Sequence, residues 1–180
     1  ALDAAGNVYT ANEFSNNVSK ITPDGSSTTF GTAGSSPTGI ALDAAGNVYT
    51  ANEFSNNVSK ITPDGSSTIF GTTGISPRGI AVDAAGNVYT ANFNSDNVSK
   101  ITPEGISTIL ETTGSFPYGI ALDAAGNVYT ANGGSDNVSK ITTDGTSSIL
   151  GATGSSPVRI AIDAAGNVYT ANFNSDNVSK

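Results

Sequence analysis

"ALDAAGNVYTAN" fills residues 1–12 and returns, with one changed letter at most, at residues 41, 81, 121 and 161. Its reading decides the fold. "ALD" has the apolar and polar alternation of a strand end, "AAGN" is turn chemistry, and "VYTAN" is a β-branched and aromatic run, so the stretch predicts a β-hairpin. The hairpin recurs with a period of 40 residues and no insertion, so the 180-residue chain holds four and a half periods. Residues 1–40 and 41–80 differ only at Thr29/Ile69, Ala33/Thr73, Ser35/Ile75 and Thr38/Arg78. Such near-identity points to recent duplication or to a consensus-style design.

Each period contains two further strand candidates. Taking the second, the spans are Gly39–Asp43, Val48–Asn52, Val58–Thr62 and residues 66–71, with Pro63 and Gly65 set for the turn between the last two. No stretch has the 3 and 4 spacing of a helix. Apolar residues occur in both alternation phases, as in a sheet covered on both faces. Four antiparallel strands per forty residues is the arithmetic of a propeller blade, and tight hairpin signals argue against the rival, a parallel β-helix. The expected fold is all-β, a β-propeller of 40-residue four-stranded antiparallel blades. Its blades fall at about 1–36, 37–76, 77–116 and 117–156, with an incomplete one at 157–180. Val8, Val48, Val88, Val128 and Val168 are the expected strand cores.

Composition narrows the function classes. Fifteen acidic residues stand against seven basic ones, a net charge of −8 and a pI near 4.1, which disfavours phosphate-backbone binding. No apolar run approaches membrane-spanning length. With no Cys, few Lys and much Ser, Thr and Asn, the expected location is extracellular or periplasmic. The absence of His, Cys and Met excludes Ser-His-Asp, Cys-His and thiolate-zinc chemistry. Glycosidase chemistry needs two carboxylates in unlike environments, and Glu13 with Glu53 is the one suggestive pair.

The run "P-x-G-I-A-L-D-A-A-G-N-V-Y-T-A-N", followed by "N-N-V-S-K-I-T-P-D-G", resembles the NHL-repeat family of propellers and is similar to the repeats of the streptogramin lyase (virginiamycin B lyase) family. The resemblance covers every repeat. It implies the propeller, but a poorly defined activity, because NHL-like propellers include protein- and RNA-binding modules, lactonase-like enzymes and lyases. The lyases rely on a histidine base and a metal, and a chain without histidine does not inherit that chemistry. Asn52 also stands where NHL repeats often carry an acidic residue.

Repetition is the packing requirement of stacked blades, so function is sought where the copies disagree. The turns "DAAGN" and "TPDG" scarcely change, whereas the loops of the opposite, upper face do. After the proline the chain reads Thr38, Arg78, Tyr118 and Val158, and Arg159 replaces Gly39, Gly79 and Gly119. Between the second and third strands, Glu13-Phe14 and Glu53-Phe54 give way to Phe93-Asn94, Gly133-Gly134 and Phe173-Asn174, and Phe116 precedes Pro117. Large anchors beside polar groups describe a binding face, with drift in tolerant loops as the competing explanation.

Asp3, Asp43, Asp83, Asp123 and Asp163 would form a lower ring able to hold a hard cation, though each is better read as acceptor for its own turn. Lys20, Lys60, Lys100, Lys140 and Lys180 are expected to snorkel over the blade or pair with acids. The recurrent "NVS" at Asn17, Asn57, Asn97, Asn137 and Asn177 is read as a turn-forming Asn before a strand, not a glycosylation signal.

The expected function is a binding or assembly module acting through its upper loops on a protein, peptide or glycan, without cofactor. The alternatives are an amplified or engineered scaffold with no evolved ligand and a lactonase-like hydrolase. A chain of four and a half periods is expected to complete its ring by self-association or within a longer parent chain, rather than as a five-blade monomer.

Overall fold

The repeated hairpin closes because Gly46 takes the left-handed φ of +81° that the turn requires, while the Asp43 carboxylate accepts from the backbone N–H groups of Ala45 and Asn47. In the computed structural model residues 1–180 are described, the side chains of Glu111 and Thr112 excepted. They form five antiparallel sheets and, among the described residues, no helix. The second sheet orders Pro37–Leu42, Val48–Asn52, Asn57–Ile61 and Ser67–Thr72 from one edge to the other, and the third and fourth repeat it. The first and last sheets have three strands each. The expected second strand is reproduced residue for residue. The first begins earlier, at Pro37, and the third earlier, at Asn57.

Two β-bulges in each four-stranded blade, and one in each three-stranded blade, are invisible in the hydrophobic pattern. Pro37 pairs with Asn52 and Gly39 with Ala51, leaving Thr38 unpaired in the edge strand. Val58 pairs with Gly71 and Ser59 with Ile69, leaving Phe70 in the same position in the outer strand. A bulge turns its residue away from the alternation of its neighbours. The Phe70 ring is thereby set edge-on to Tyr49 at 5.2 Å, and the Lys60 ammonium lies 5.7 Å from the Tyr49 centroid.

Blades pack face to face. Tyr49 and Val58 of the second blade bury against Val88 and Ile101 of the third, and equivalent clusters join the first blade to the second and the third to the fourth. Val48 and Val88 are fully buried, whereas Val8, on the outer face of the first blade, is 39% exposed and Val168 only half-buried. The expectation of five equivalent strand cores therefore fails in the first and last blades: no blade packs on the face that carries Val8, and Val168, turned toward the fourth blade, lines a hollow with Val138 and Leu150 instead of closing on them. The first blade lacks a full edge strand, yet Leu2 bridges to Val8 and the Ala1 ammonium donates to the Tyr9 carbonyl.

A buried polar network ties each interface at its upper end. In the third blade Thr90 Oγ1 donates to Asn92 Oδ1 at 2.9 Å, and Asn92 Nδ2 donates to Asn97 Oδ1 and Ser99 Oγ at 2.8 Å each. Ser99 Oγ also accepts the Gly74 N–H of the preceding blade at 2.9 Å. Thr90, Asn92 and Ser99 are fully buried, so an Asn without these partners would carry a desolvation cost. The "NVS" Asn is thus the first residue of a strand and a member of this network. The turn-forming, positive-φ position is its predecessor, Asn56 at 51°.

Candidate functional site

The edge strands Pro37–Leu42, Pro77–Val82, Pro117–Leu122 and Pro157–Ile162 pack side by side around an axial cavity of about 270 Å³, lined by Ile40, Ile80, Ile120 and Ile160 among others. Glycine at positions 39 and 79 follows from this crowding. A Cβ on Gly39 would lie 2.3 Å from the Arg78 carbonyl oxygen, and one on Gly79 2.5 Å from that of Tyr118. Thr38 Oγ1 donates to the carbonyls of Pro77 and Arg78, linking two inner strands directly.

The residues unpaired by the inner bulges are Thr38, Arg78, Tyr118 and Val158. No two of the four copies carry the same residue here. Thr38, Arg78 and Tyr118 are turned into a mouth of about 260 Å³ above the axial cavity, where they meet Glu13, Glu53 and Arg159. Val158 faces instead a shallow hollow with Phe173 and Asn172.

Within the mouth Arg78 is held by one carboxylate and two rings. Its Nη2 donates to Glu53 Oε1 at 2.7 Å and its Nε to the same oxygen at 3.2 Å. Its guanidinium carbon lies 4.0 Å from the Phe93 ring centroid and 4.9 Å from that of Tyr118. Phe93 stacks on Phe116 with centroids 4.8 Å apart and an interplanar angle of 22°. Phe116 has φ of +54°, a place taken by serine at Ser36, Ser76 and Ser156. A bulky side chain held in the left-handed region carries strain, here offset by the stack.

Gly133 and Gly134 are the residues whose role the sequence does not reveal. A Cβ on Gly133 would meet the Tyr118 ring at 2.9 Å, and one on Gly134 the Phe116 ring at 2.5 Å. The glycine pair makes room for two aromatics placed some fifteen residues earlier, so the differences between copies are coupled in space. The only signal in the sequence was that Phe116 and Tyr118, on either side of Pro117, and the glycine pair depart from the other copies close together along the chain.

The remaining candidates lie elsewhere. Phe14 and Phe54 are exposed on the upper face outside the mouth, and Asn94 Nδ2 donates to Ser76 Oγ at 2.8 Å. Glu13 accepts from Ser36 Oγ at 3.2 Å and lines the same mouth as Glu53, whose carboxylate is taken by Arg78. Asp43 Oδ2 accepts from Asn47 Nδ2 and the Tyr49 hydroxyl. Burial raises its carboxyl, but these bonds and those from the Asn47 and Ala45 backbone outweigh it and hold the group below the ordinary carboxylate range. In the same motif of the third blade, burial and the Asp83 carboxylate push the Tyr89 hydroxyl up to about 12. The lysines pair with aromatic rings. Of the two expectations for them, lying over the blade holds and pairing with acids does not, since the one ion pair among the described residues is Arg78 with Glu53.

A model of the virginiamycin B lyase family matches residues 1–180. The chain belongs to that family. Virginiamycin B lyase from Staphylococcus aureus, in selenomethionine form, superposes with a TM-score of 0.84 at 18% identity, covering 99% of this chain and 67% of that one. A streptogramin B lyase gives 0.82 at 17%, covering 99% and 65%. A chain of a nidogen/laminin complex gives 0.82 at 22%, covering 97% and 71%. No curated protein sequence matches. The chain thus spans about two thirds of the length of the solved lyases, and at these identities the likeness establishes the β-propeller. A histidine-to-alanine variant of the staphylococcal lyase, solved with quinupristin, is described as catalytically inactive. This member of the lyase family has no histidine at any of its 180 positions.

Proposed function

We propose that the chain is a binding module whose contact surface is the upper mouth of the propeller. One observation carries the reading. One position that differs in each of the four inner strands sits at the inner bulge, and three of those four side chains enter one mouth together with Glu13, Glu53 and Arg159. Independent drift in tolerant loops gives no reason for Gly133 and Gly134 to clear the space used by Tyr118 and Phe116. The protein named in the nidogen/laminin complex supports protein binding as a use of this fold. With no histidine in the chain, the reading is retention of a ligand without turnover.

The test is a thermal-shift screen of short peptides and oligosaccharides. A ligand at 100 times its Kd adds about 2.7 kcal/mol to stability. Arg159→Ala, at an exposed side chain, is expected to abolish the shift while leaving the ligand-free melting temperature unchanged. Shifts that survive Arg159→Ala would move the contact surface elsewhere.

A second reading concerns assembly. Val178, on the outer face of the last blade, is 68% exposed, whereas its counterparts Val58 and Val98 are fully buried against the next blade. The first blade presents Val8 on the complementary face. Where no further blade follows, these faces are those that pack on each other inside the arc, so copies of the 17.9 kDa chain would join head to tail. Light scattering is expected to show association that Val178→Glu reduces to monomer. A monodisperse wild-type monomer sinks the assembly reading and leaves the binding one intact.

A further inference from the structure

The charges at the mouth do not all balance in pairs. Glu53 and Arg78 satisfy each other at 2.7 Å, and the Glu53 side chain is only 10% exposed. Glu13 is left accepting one neutral hydrogen bond, from Ser36 Oγ. Arg159 is left with one, from Nη1 to the carbonyl of its neighbour Val158 at 3.1 Å. The two are of opposite sign, line the same mouth, and neither forms an ion pair among the described residues. Uncommitted charges at a concave site are the groups that a ligand engages, because their own pairing does not have to be broken first.

Three features then narrow the ligand. A simple anion would find one free guanidinium in a chain of net charge −8, and a simple cation would find Glu13 beside two guanidinium groups. A molecule carrying both signs meets both uncommitted groups. The rest of the lining is Thr38 and the Tyr118 ring, the latter held by Phe93 at 4.8 Å and by Arg78, a rigid aromatic wall that suits a flat apolar body. The mouth, at about 260 Å³, falls below the roughly 300–1,000 Å³ of sites for drug-sized molecules, so the occupant is small.

We propose that the mouth takes a small aromatic zwitterion, of the class of an aromatic α-amino acid, with its carboxylate on Arg159, its ammonium on Glu13 and its ring against Tyr118. The assignment rests on the reading of the mouth as a binding site and adds the chemistry of the ligand to it.

Calorimetric titration with L-phenylalanine, 3-phenylpropionate and phenethylamine separates the three contacts. Phenylalanine is expected to bind at least tenfold more tightly than either truncated probe. Glu13→Gln is expected to bring phenylalanine down to the affinity of phenylpropionate without weakening phenylpropionate itself, and Arg159→Gln to bring it down to that of phenethylamine. Equal binding of phenylalanine and either truncated probe overturns the proposal, as does no binding of any of the three. In both cases a peptide or glycan whose thermal shift is lost in Arg159→Ala would keep the mouth as the site while removing the zwitterion as its ligand.

Discussion

Asn92→Ala is expected to destabilise the chain by about 3 kcal/mol, since removing the amide leaves two fully buried partners, Thr90 and Ser99, and the half-buried Asn97 short at once, and each buried unmet group costs about 1–3 kcal/mol. Thr90 Oγ1 loses its acceptor, and Asn97 Oδ1 and Ser99 Oγ lose a donor, in a region where Thr90, Asn92 and Ser99 are fully buried. For a chain of this size that corresponds to a fall in melting temperature of roughly 10 °C. The loss should exceed that of Ser99→Ala, which removes the tie to Gly74 N–H but leaves the Asn92 amide bonded to Asn97 and Thr90. Urea unfolding of the two variants measures both. A loss below 1 kcal/mol for Asn92→Ala would mean that water reaches the network and that the blades are held by their apolar clusters alone.

The second large effect is a graded one at a single register position. Gly39→Ala is expected to cost 3 kcal/mol or more, on the order of the upper range for overpacking, because the new Cβ meets a backbone oxygen at 2.3 Å and a neighbouring strand has to move. Gly79→Ala, at 2.5 Å from a carbonyl, follows closely, and Gly119→Ala, whose nearest contact is 3.2 Å, is milder. Arg159 occupies the same register, opposite Ala171 as Gly39 is opposite Ala51, yet its side chain is exposed in the mouth. Arg159→Gly is therefore expected to change stability by less than about 0.5 kcal/mol, as ordinary surface substitutions do. Thermal melts of the four variants give the order. Equal tolerance at positions 39 and 159 would show that the inner strands are not in the close contact described.

Much of the fold was legible from one period. The span Val48–Asn52 was read to the residue, and the Asp43 turn was read with its acceptor. Both depend on neighbours within a few residues, through backbone propensity and the side chain's reach to its own turn. The candidate site was legible only as a set of disagreements. That Thr38, Arg78 and Tyr118 share a mouth with Arg159, while Val158, Phe14 and Phe54 do not, depends on where the bulges aim them and on which strand stands next to which. The lysines lie over the blade, as one of the two expectations had it, but the partner was not legible: each ammonium rests on the Tyr directly opposite it on the neighbouring strand, a cross-strand pairing that only the register decides.

By itself, the sequence determined the period, the four strands, the turns and the absence of histidine chemistry, because these follow from local conformational preference and from residue inventory. The tertiary structure alone decided which glycines are obligatory, which polar residues are buried, and which variable side chains converge. Each of those depends on contacts between neighbouring blades, such as Thr38 with Arg78 and Gly74 with Ser99, and the conformational preferences of a single forty-residue repeat do not encode them.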